Sequence, residues 1–227
     1  MCGRFTTLEY GEVADIVRAI ELRAPSPVLS DWPAVPVQVH PRDTAWLIVP
    51  ETDGRDALSC VSFAIERLNW GFDVDWQKGP LFNTRIESAL AGRGMWASVI
   101  EHGRCLVPVR AFFEAHATET APSPRTGRLV KQPYEFRSSD GSFLLLAAVH
   151  AEGRFSVVTT QPNAQVAPVH NRMPLVVRPD EAFTWLFGDY ARLADRSDVA
   201  LHAFREPLAG SRQPTESSSA AGQLSLF

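Results

Sequence analysis

The chain has 227 residues, a net charge of −4 and a hydrophobic fraction of 45%. It is long enough to bury a core in one large domain or two small ones, and no apolar run approaches the roughly 20 residues of a membrane helix. Three cysteines, Cys2, Cys60 and Cys105, with no C-x-x-C pair, argue against a disulfide framework or structural zinc site and for a reducing compartment. The first residues also lack the charged-then-apolar order of a secretion signal. The charge is unevenly spread. Between Lys78 and Arg137 nine Lys/Arg stand against five Glu, a net of +4 that leaves −8 elsewhere. A basic groove on an acidic protein and an ordinary mixed surface both fit that pattern.

In chain order, Thr6-Thr7-Leu8-Glu9 reads as a T-x-x-E capping box, and Val13, Ile16, Val17 and Ile20 follow at helical spacing. An amphipathic helix is predicted over 7–22. Prolines at 25, 27, 33, 36 and 41 make 24–42 irregular. Ala45–Val49 reads as a strand, and Leu58–Phe72 as one or two strands. Ser88–Ile100 reads as a helix despite Gly92 and Gly94. Arg104–Val109 and Phe112–Ala115 read as strands, with a loop over Glu119–Arg128. Pro133–Arg137, Phe143–His150 and Arg154–Thr160 are strand-like, with a hairpin turn at Asp140-Gly141. Asn163–Pro168 forms a helical turn before His170, and Leu175–Val177 a strand. Pro179-Asp180-Glu181 starts a helix running to about Phe187, and Leu201–Arg205 is a last strand. From Pro207 the Gly, Ser, Ala, Gln and Pro content cannot build a core, so 207–222 is read as a tether. Many short strands with a few flanking helices predict a single α+β domain over 1–206, with a curved, mainly antiparallel, barrel-like sheet.

Chemistry concentrates at a few points. Once Met1 is lost, Cys2 offers an α-amine and a thiol on adjacent carbons. Their reference pKa values, about 7.7–8.0 and about 8.5, leave both with a reactive fraction near neutral pH. Such a 1,2-aminothiol attacks an aldehyde with nitrogen and closes a thiazolidine with sulfur; on an amide it is a hydrolytic nucleophile. Asn83 and Arg85 share one face of an extended stretch. Glu114 follows Ala111-Phe112-Phe113, and desolvation among those aromatics would raise its pKa toward a value suited to proton transfer. His170 sits in a polar turn, Val169-His170-Asn171-Arg172. Each has a plain structural alternative: Asn83 as a turn former, Glu114 as a partner for Arg110, His170 as a satisfied loop histidine.

Six blocks stand together in order. They are Met1-Cys2-Gly3-Arg4-Phe5, Trp70-Gly71-Phe72, Asn83-Thr84-Arg85-Ile86-Glu87, Arg104-Cys105-Leu106-Val107-Pro108 with Phe113-Glu114, Lys131-Gln132-Pro133-Tyr134, and Val169-His170-Asn171-Arg172-Met173-Pro174. In that order and rough spacing they resemble the SRAP family, the SOS-response-associated peptidases also called abasic-site processing proteins, over about residues 2–205. The resemblance implies a protein that binds single-stranded DNA and cross-links covalently to abasic sites through Cys2. It also implies a peptidase activity understood as removal of the first methionine. On that basis Cys2 forms the thiazolidine and Glu114 shuttles protons during imine formation and reversal. His170 opens the sugar ring, and Asn83 bonds the sugar or the Cys2 backbone. Arg4 and Arg85 meet phosphates, and Trp70 stacks on a base or supports the groove wall. No metal or organic cofactor is implied, and the protein is expected to act as a cytoplasmic, nucleoid-associated bacterial monomer.

Two departures concern DNA binding. Trp32-Pro33-Ala34-Val35-Pro36 lacks the asparagine of the family's Tyr-Asn-x-Ala-Pro block, and Asp73 and Asp75 bring carboxylates near the expected DNA path. The chain ends in Gln223-Leu224-Ser225-Leu226-Phe227. This resembles the bacterial sliding-clamp-binding peptide, with apolar anchors at the end of a flexible tether. Two other functions stay open: a class II glutamine amidotransferase, whose cysteine is also at position 2, and a non-catalytic adaptor that tethers DNA to the clamp.

Overall fold

The computed structural model describes residues 2–19, 35–51, 62–92 and 95–208. Its elements run β1 (Phe5–Thr7), α1 (Tyr10–Ala19), β2 (Gln38–Val39), β3 (Thr44–Glu51), β4 (Ser62–Trp70), β5 (Asn83–Arg85), α2 (Ile86–Leu90) and α3 (Met95–His102). There follow β6 (Arg104–Pro122), β7 (Leu129–Ser138), β8 (Leu144–Ala151), β9 (Arg154–Thr160), β10 (Met173–Pro174) and β11 (Val176–Val177). A 3-10 turn (Pro179–Glu181), α4 (Ala182–Leu186), a second 3-10 turn (Tyr190–Leu193) and β12 (Leu201–Arg205) complete the series. The α+β class with a large, mainly antiparallel sheet is as expected; only the pairings of β4 and β5 with β9 are parallel among the described residues.

The sheet is not a clean barrel. Pairings run in a circuit through β8, β9, β4, β3 and β6 and back to β8. However, β3 meets β6 at one residue pair, Ile48↔Leu106, and β4 meets β9 at two. Further strands leave β6 outward through β1 and β7. Alternation along each strand divides the core. Leu47, Cys105, Val107, Leu146, Phe155, Val157 and Trp70 face inward around the circuit. Ile48, Leu106, Leu145, Ala147 and Val158 face outward, beneath apolar residues of α1, α3 and α4.

Several boundaries move for identifiable reasons. Thr6 and Thr7 belong to β1, because that segment pairs with both β2 and β6. The Thr7 hydroxyl accepts from the Val37 amide at 3.0 Å rather than capping a helix. The cap falls three residues later, where the Glu12 carboxylate accepts from the Glu9 amide at 3.0 Å. The single helix expected over Ser88–Ile100 is two, with Gly92 at φ +59 ending the first. The loop expected over Glu119–Arg128 is shorter, 123–128: β6 runs 19 residues to Pro122, and a register shift between Ala115 and Thr120 lets it keep pairing with β7. Cys105 is a free, buried thiol. Cys60, Trp32–Ala34, the tail from 209 and the 223–227 motif lie outside the described residues.

Candidate active site

Cys2 lies three residues ahead of Phe5, the start of β1, which lies between β2 and β6, and its side chain is fully buried. Pairing with β6 draws Glu114 to the same place: the Phe113 amide donates to the Arg4 carbonyl at 3.0 Å, one residue from Glu114. Asn83 arrives from the opposite direction. β5 runs parallel to β9, with Asn83 opposite Val157, and the Asn83 Nδ2 donates to the Cys2 carbonyl at 2.8 Å. The approach to β5 is fixed by Gly71 at φ +113, where an added Cβ would fall 2.5 Å from the Cβ of Pro80. Asn83 is therefore a strand residue holding Cys2, not a turn former.

His170 follows the turn capped by Asn163, whose Oδ1 accepts from the Val166 amide at 3.0 Å. Its Nδ1 lies 3.9 Å from the Glu114 Oε2. The same nitrogen is 3.0 Å from the carbonyl oxygen and 3.1 Å from the amide nitrogen of Arg172, so backbone holds the ring. The loop is pinned in turn by Arg172. Its guanidinium donates to both oxygens of Glu87, at 2.7 and 2.9 Å, and to the Thr159 carbonyl at 2.7 Å. This paired contact holds the Glu87 carboxyl below its usual range. Glu114 does not pair with Arg110, which bonds Glu12 instead.

Electrostatically the cluster is poised around neutral pH. Burial pushes the Glu114 carboxyl up to about 7, against the pull of the positive amino terminus. Burial, reinforced by the Glu114 charge, pushes the Cys2 thiol up to about 12, so the sulfur is held as a thiol rather than a thiolate. Burial lowers His170, keeping its imidazole neutral at pH 7. A cleft of about 300 Å³ reaches Glu114 of this cluster, lined by Gly3, Arg4, His40, Phe113, Glu114, Ala115 and Pro133. The arrangement suits imine chemistry: a nucleophile set beside a carboxyl that both gives and takes a proton near pH 7.

The residues assigned to DNA are more scattered. Arg4 reaches the cleft, but its guanidinium sits 3.9 Å above the Phe113 ring and pairs with Glu206. Arg85 is exposed on β5. Trp70 has 0% exposure, stacks on Phe155 at 6.0 Å and donates its indole N–H to the Phe82 carbonyl at 2.8 Å. This corrects the base-stacking role, since no face of the ring is open to a base; what remains is support from beneath. Asp73 is paired with Arg154 at 2.6 Å. Asp75 is exposed on the same loop as Trp76, itself 70% exposed. Three residues with no role in the sequence reading turn out to organise the site: Arg172, Glu87 and Glu206. The first two lie inside motifs already singled out, so an Arg and a Glu of opposite charge in two such blocks were the available signal.

A family model described as SOS response associated peptidase (SRAP) matches residues 1–210. The abasic site processing protein YedK of Escherichia coli (strain K12) is 27% identical over 196 residues, covering 82% of this chain and 79% of that protein. The abasic site processing protein YoqW of Bacillus subtilis (strain 168) is 24% identical over 200 residues, covering 82% of this chain and 80% of its own. Among solved structures, a phage-related protein from Bordetella bronchiseptica superposes with a TM-score of 0.65 at 21% identity, over 90% of this chain and 95% of that one.

Proposed function

The chain belongs to the SRAP family, and from that premise we propose that it binds single-stranded DNA and captures abasic sites as a covalent thiazolidine at Cys2, once Met1 is removed. The relatives named abasic site processing proteins support the substrate class. The observation that carries the chemistry is the convergence on Cys2 of Asn83, bonded to its carbonyl at 2.8 Å, and Glu114, buried within reach of His170.

The steps follow from the groups present. The open-chain abasic sugar presents an aldehyde at C1′. The Cys2 α-amine attacks that carbon, because the sulfur is held protonated and is the poorer first nucleophile. Protonated Glu114 gives its proton to the carbinolamine oxygen and water leaves, forming an iminium. The Cys2 sulfur then adds to C1′, its proton passing to the Glu114 carboxylate. One ring forms, one water is released, and Glu114 returns to its starting state. Reversal uses the same groups in the opposite sense. Neutral His170, held through Nδ1, exchanges a proton with the sugar oxygen through Nε2 as the sugar opens. Asn83 fixes the Cys2 backbone so that nitrogen and sulfur address the same carbon. Arg4 and Arg85 hold the flanking phosphates.

Gln223–Phe227 is assigned to a sliding clamp, which would keep the domain at replicating DNA. The test of the central reaction is a denaturing gel with single-stranded DNA carrying one abasic site. A heat-stable adduct is expected, lost in Cys2→Ala; an adduct that persists in Cys2→Ala refutes the reading.

A further inference from the structure

The guanidinium offered to DNA at the mouth of the cleft already holds an anion. Arg4 Nη1 and Nη2 each face an oxygen of Glu206, a two-toothed contact between residues 202 apart in the chain. Carboxylate and phosphate present the same spacing of oxygens to an arginine, so the two compete for one set of donors. The rest of the guanidinium is committed in ways that leave this edge as the anion-binding one: one face lies over Phe113, and Nη1 also donates to the Gln38 Oε1 at 3.3 Å.

Glu206 is not a passing contact. Its amide donates to the Pro133 carbonyl at 3.0 Å, and its carbonyl accepts from the Gln132 Nε2 at 2.7 Å. Gln132 is itself buried, at 1% exposure. The backbone is thus fixed on both sides just past β12, and only the side chain needs to rotate to release Arg4. Pro133, to which Glu206 is tied, lines the cleft together with Arg4 and Glu114.

We propose that Glu206 is an internal competitor for the DNA backbone: its carboxylate occupies the phosphate position on Arg4 and must be displaced before a strand is held there. The proposal rests on the reading of Arg4 as a phosphate contact. Glu206 keeps Arg4 in its binding pose over Phe113 while the site is empty. It also weakens binding of every strand by the same factor. An undamaged strand, held only by reversible contacts, then leaves quickly. A strand with an abasic site is retained by the covalent bond, which that competition does not touch. The competition therefore shortens the stay of undamaged strands and leaves a formed covalent adduct in place, at the expense of raw affinity.

The experiment measures binding of an undamaged, fluorescein-labelled oligodeoxythymidine by anisotropy across a salt series, for the wild type, Glu206→Gln, Arg4→Ala and the double variant. Glutamine keeps the side-chain volume and both backbone bonds while removing the charge. Glu206→Gln is expected to bind about two to five times more tightly at low salt, the range set by a partly exposed ion pair. Its plot of log K against log salt is expected to steepen by about 0.7, because the phosphate no longer exchanges for an internal anion. In the Arg4→Ala background the substitution should have no effect. Equal or weaker binding by Glu206→Gln overturns the proposal, and so does a gain that persists without Arg4, which would mark a general charge effect. Adduct formation by the wild type on abasic DNA is scored in parallel. Its absence would sink the cross-linking reading, whereas the anisotropy comparison, on DNA with no lesion, reads Glu206 alone.

Discussion

In the proposed reaction Glu114 is the residue on which proton transfer turns, and its titration makes two separable predictions. Its carboxyl moves from an ordinary 4.5 to about 7 on folding because burial penalises the charge. The folded state therefore holds a proton that the unfolded state has lost. The associated stability is complete below pH 4.5 and is lost as pH rises through about 7. Glu114→Gln abolishes that dependence, so its stability relative to wild type should grow by about 3 kcal/mol across this window, as read by urea unfolding at several pH values. The capture rate should fall by about a hundredfold or more in the same variant. The wild-type rate should decline above pH 7 as Glu114 deprotonates, an arm missing from the variant's profile. Trp70 makes the opposite case. Trp70→Phe leaves the Phe82 carbonyl without its indole donor and should cost about 1–3 kcal/mol of stability. Single-stranded DNA affinity should stay unchanged, whereas a stacking residue would lose affinity at little cost in stability. Glu114's burial was legible in sequence because three apolar residues before a carboxylate signal desolvation. Trp70's was not, since an aromatic at a strand end reads alike whether it faces core or solvent.

At the scale of elements, the site is an outcome of strand pairing. Cys2 is brought to Glu114 by β1 against β6, and Asn83 to Cys2 by β5 against β9. β6 and β9 were legible as strands and β5 as an extended stretch, whereas β1 was read as a helix cap; the partners of all four are set by tertiary packing, which local pattern does not encode. The same holds for boundaries: pairing of β1 with β2 and β6 displaced the helix cap, and a bulge carried β6 into an expected loop as far as Pro122. The His170 turn depends on the Arg172–Glu87 contact, which ties it to α2. Arg172→Lys keeps the charge but loses the paired geometry and the bond to Thr159, and should cost about 2 kcal/mol in chemical denaturation. Cross-linking should slow in the same variant because the backbone that holds the His170 ring is no longer anchored. A variant with full stability loss but wild-type kinetics would separate the turn from the reaction.

Across the described residues, segments far apart in the chain meet, with Arg4 pairing with Glu206 beside the cleft. No sequence window spans that distance, which is why the partner of Arg4 was illegible while Arg4 itself stood out in a motif. The clamp-binding assignment for Gln223–Phe227 is independent of this domain. Deleting those five residues should abolish clamp binding in a pull-down and leave cross-linking to abasic DNA at the wild-type rate. The reaction itself is tested most directly by intact-mass spectrometry of the protein before and after incubation with a single-stranded oligonucleotide bearing one abasic site. The mature chain should weigh one methionine less than the encoded one, and the product should add the mass of the oligonucleotide less one water, with Cys2→Ser giving no such product. A chain that retains Met1 and still gains the oligonucleotide would contradict capture by the Cys2 amine and thiol.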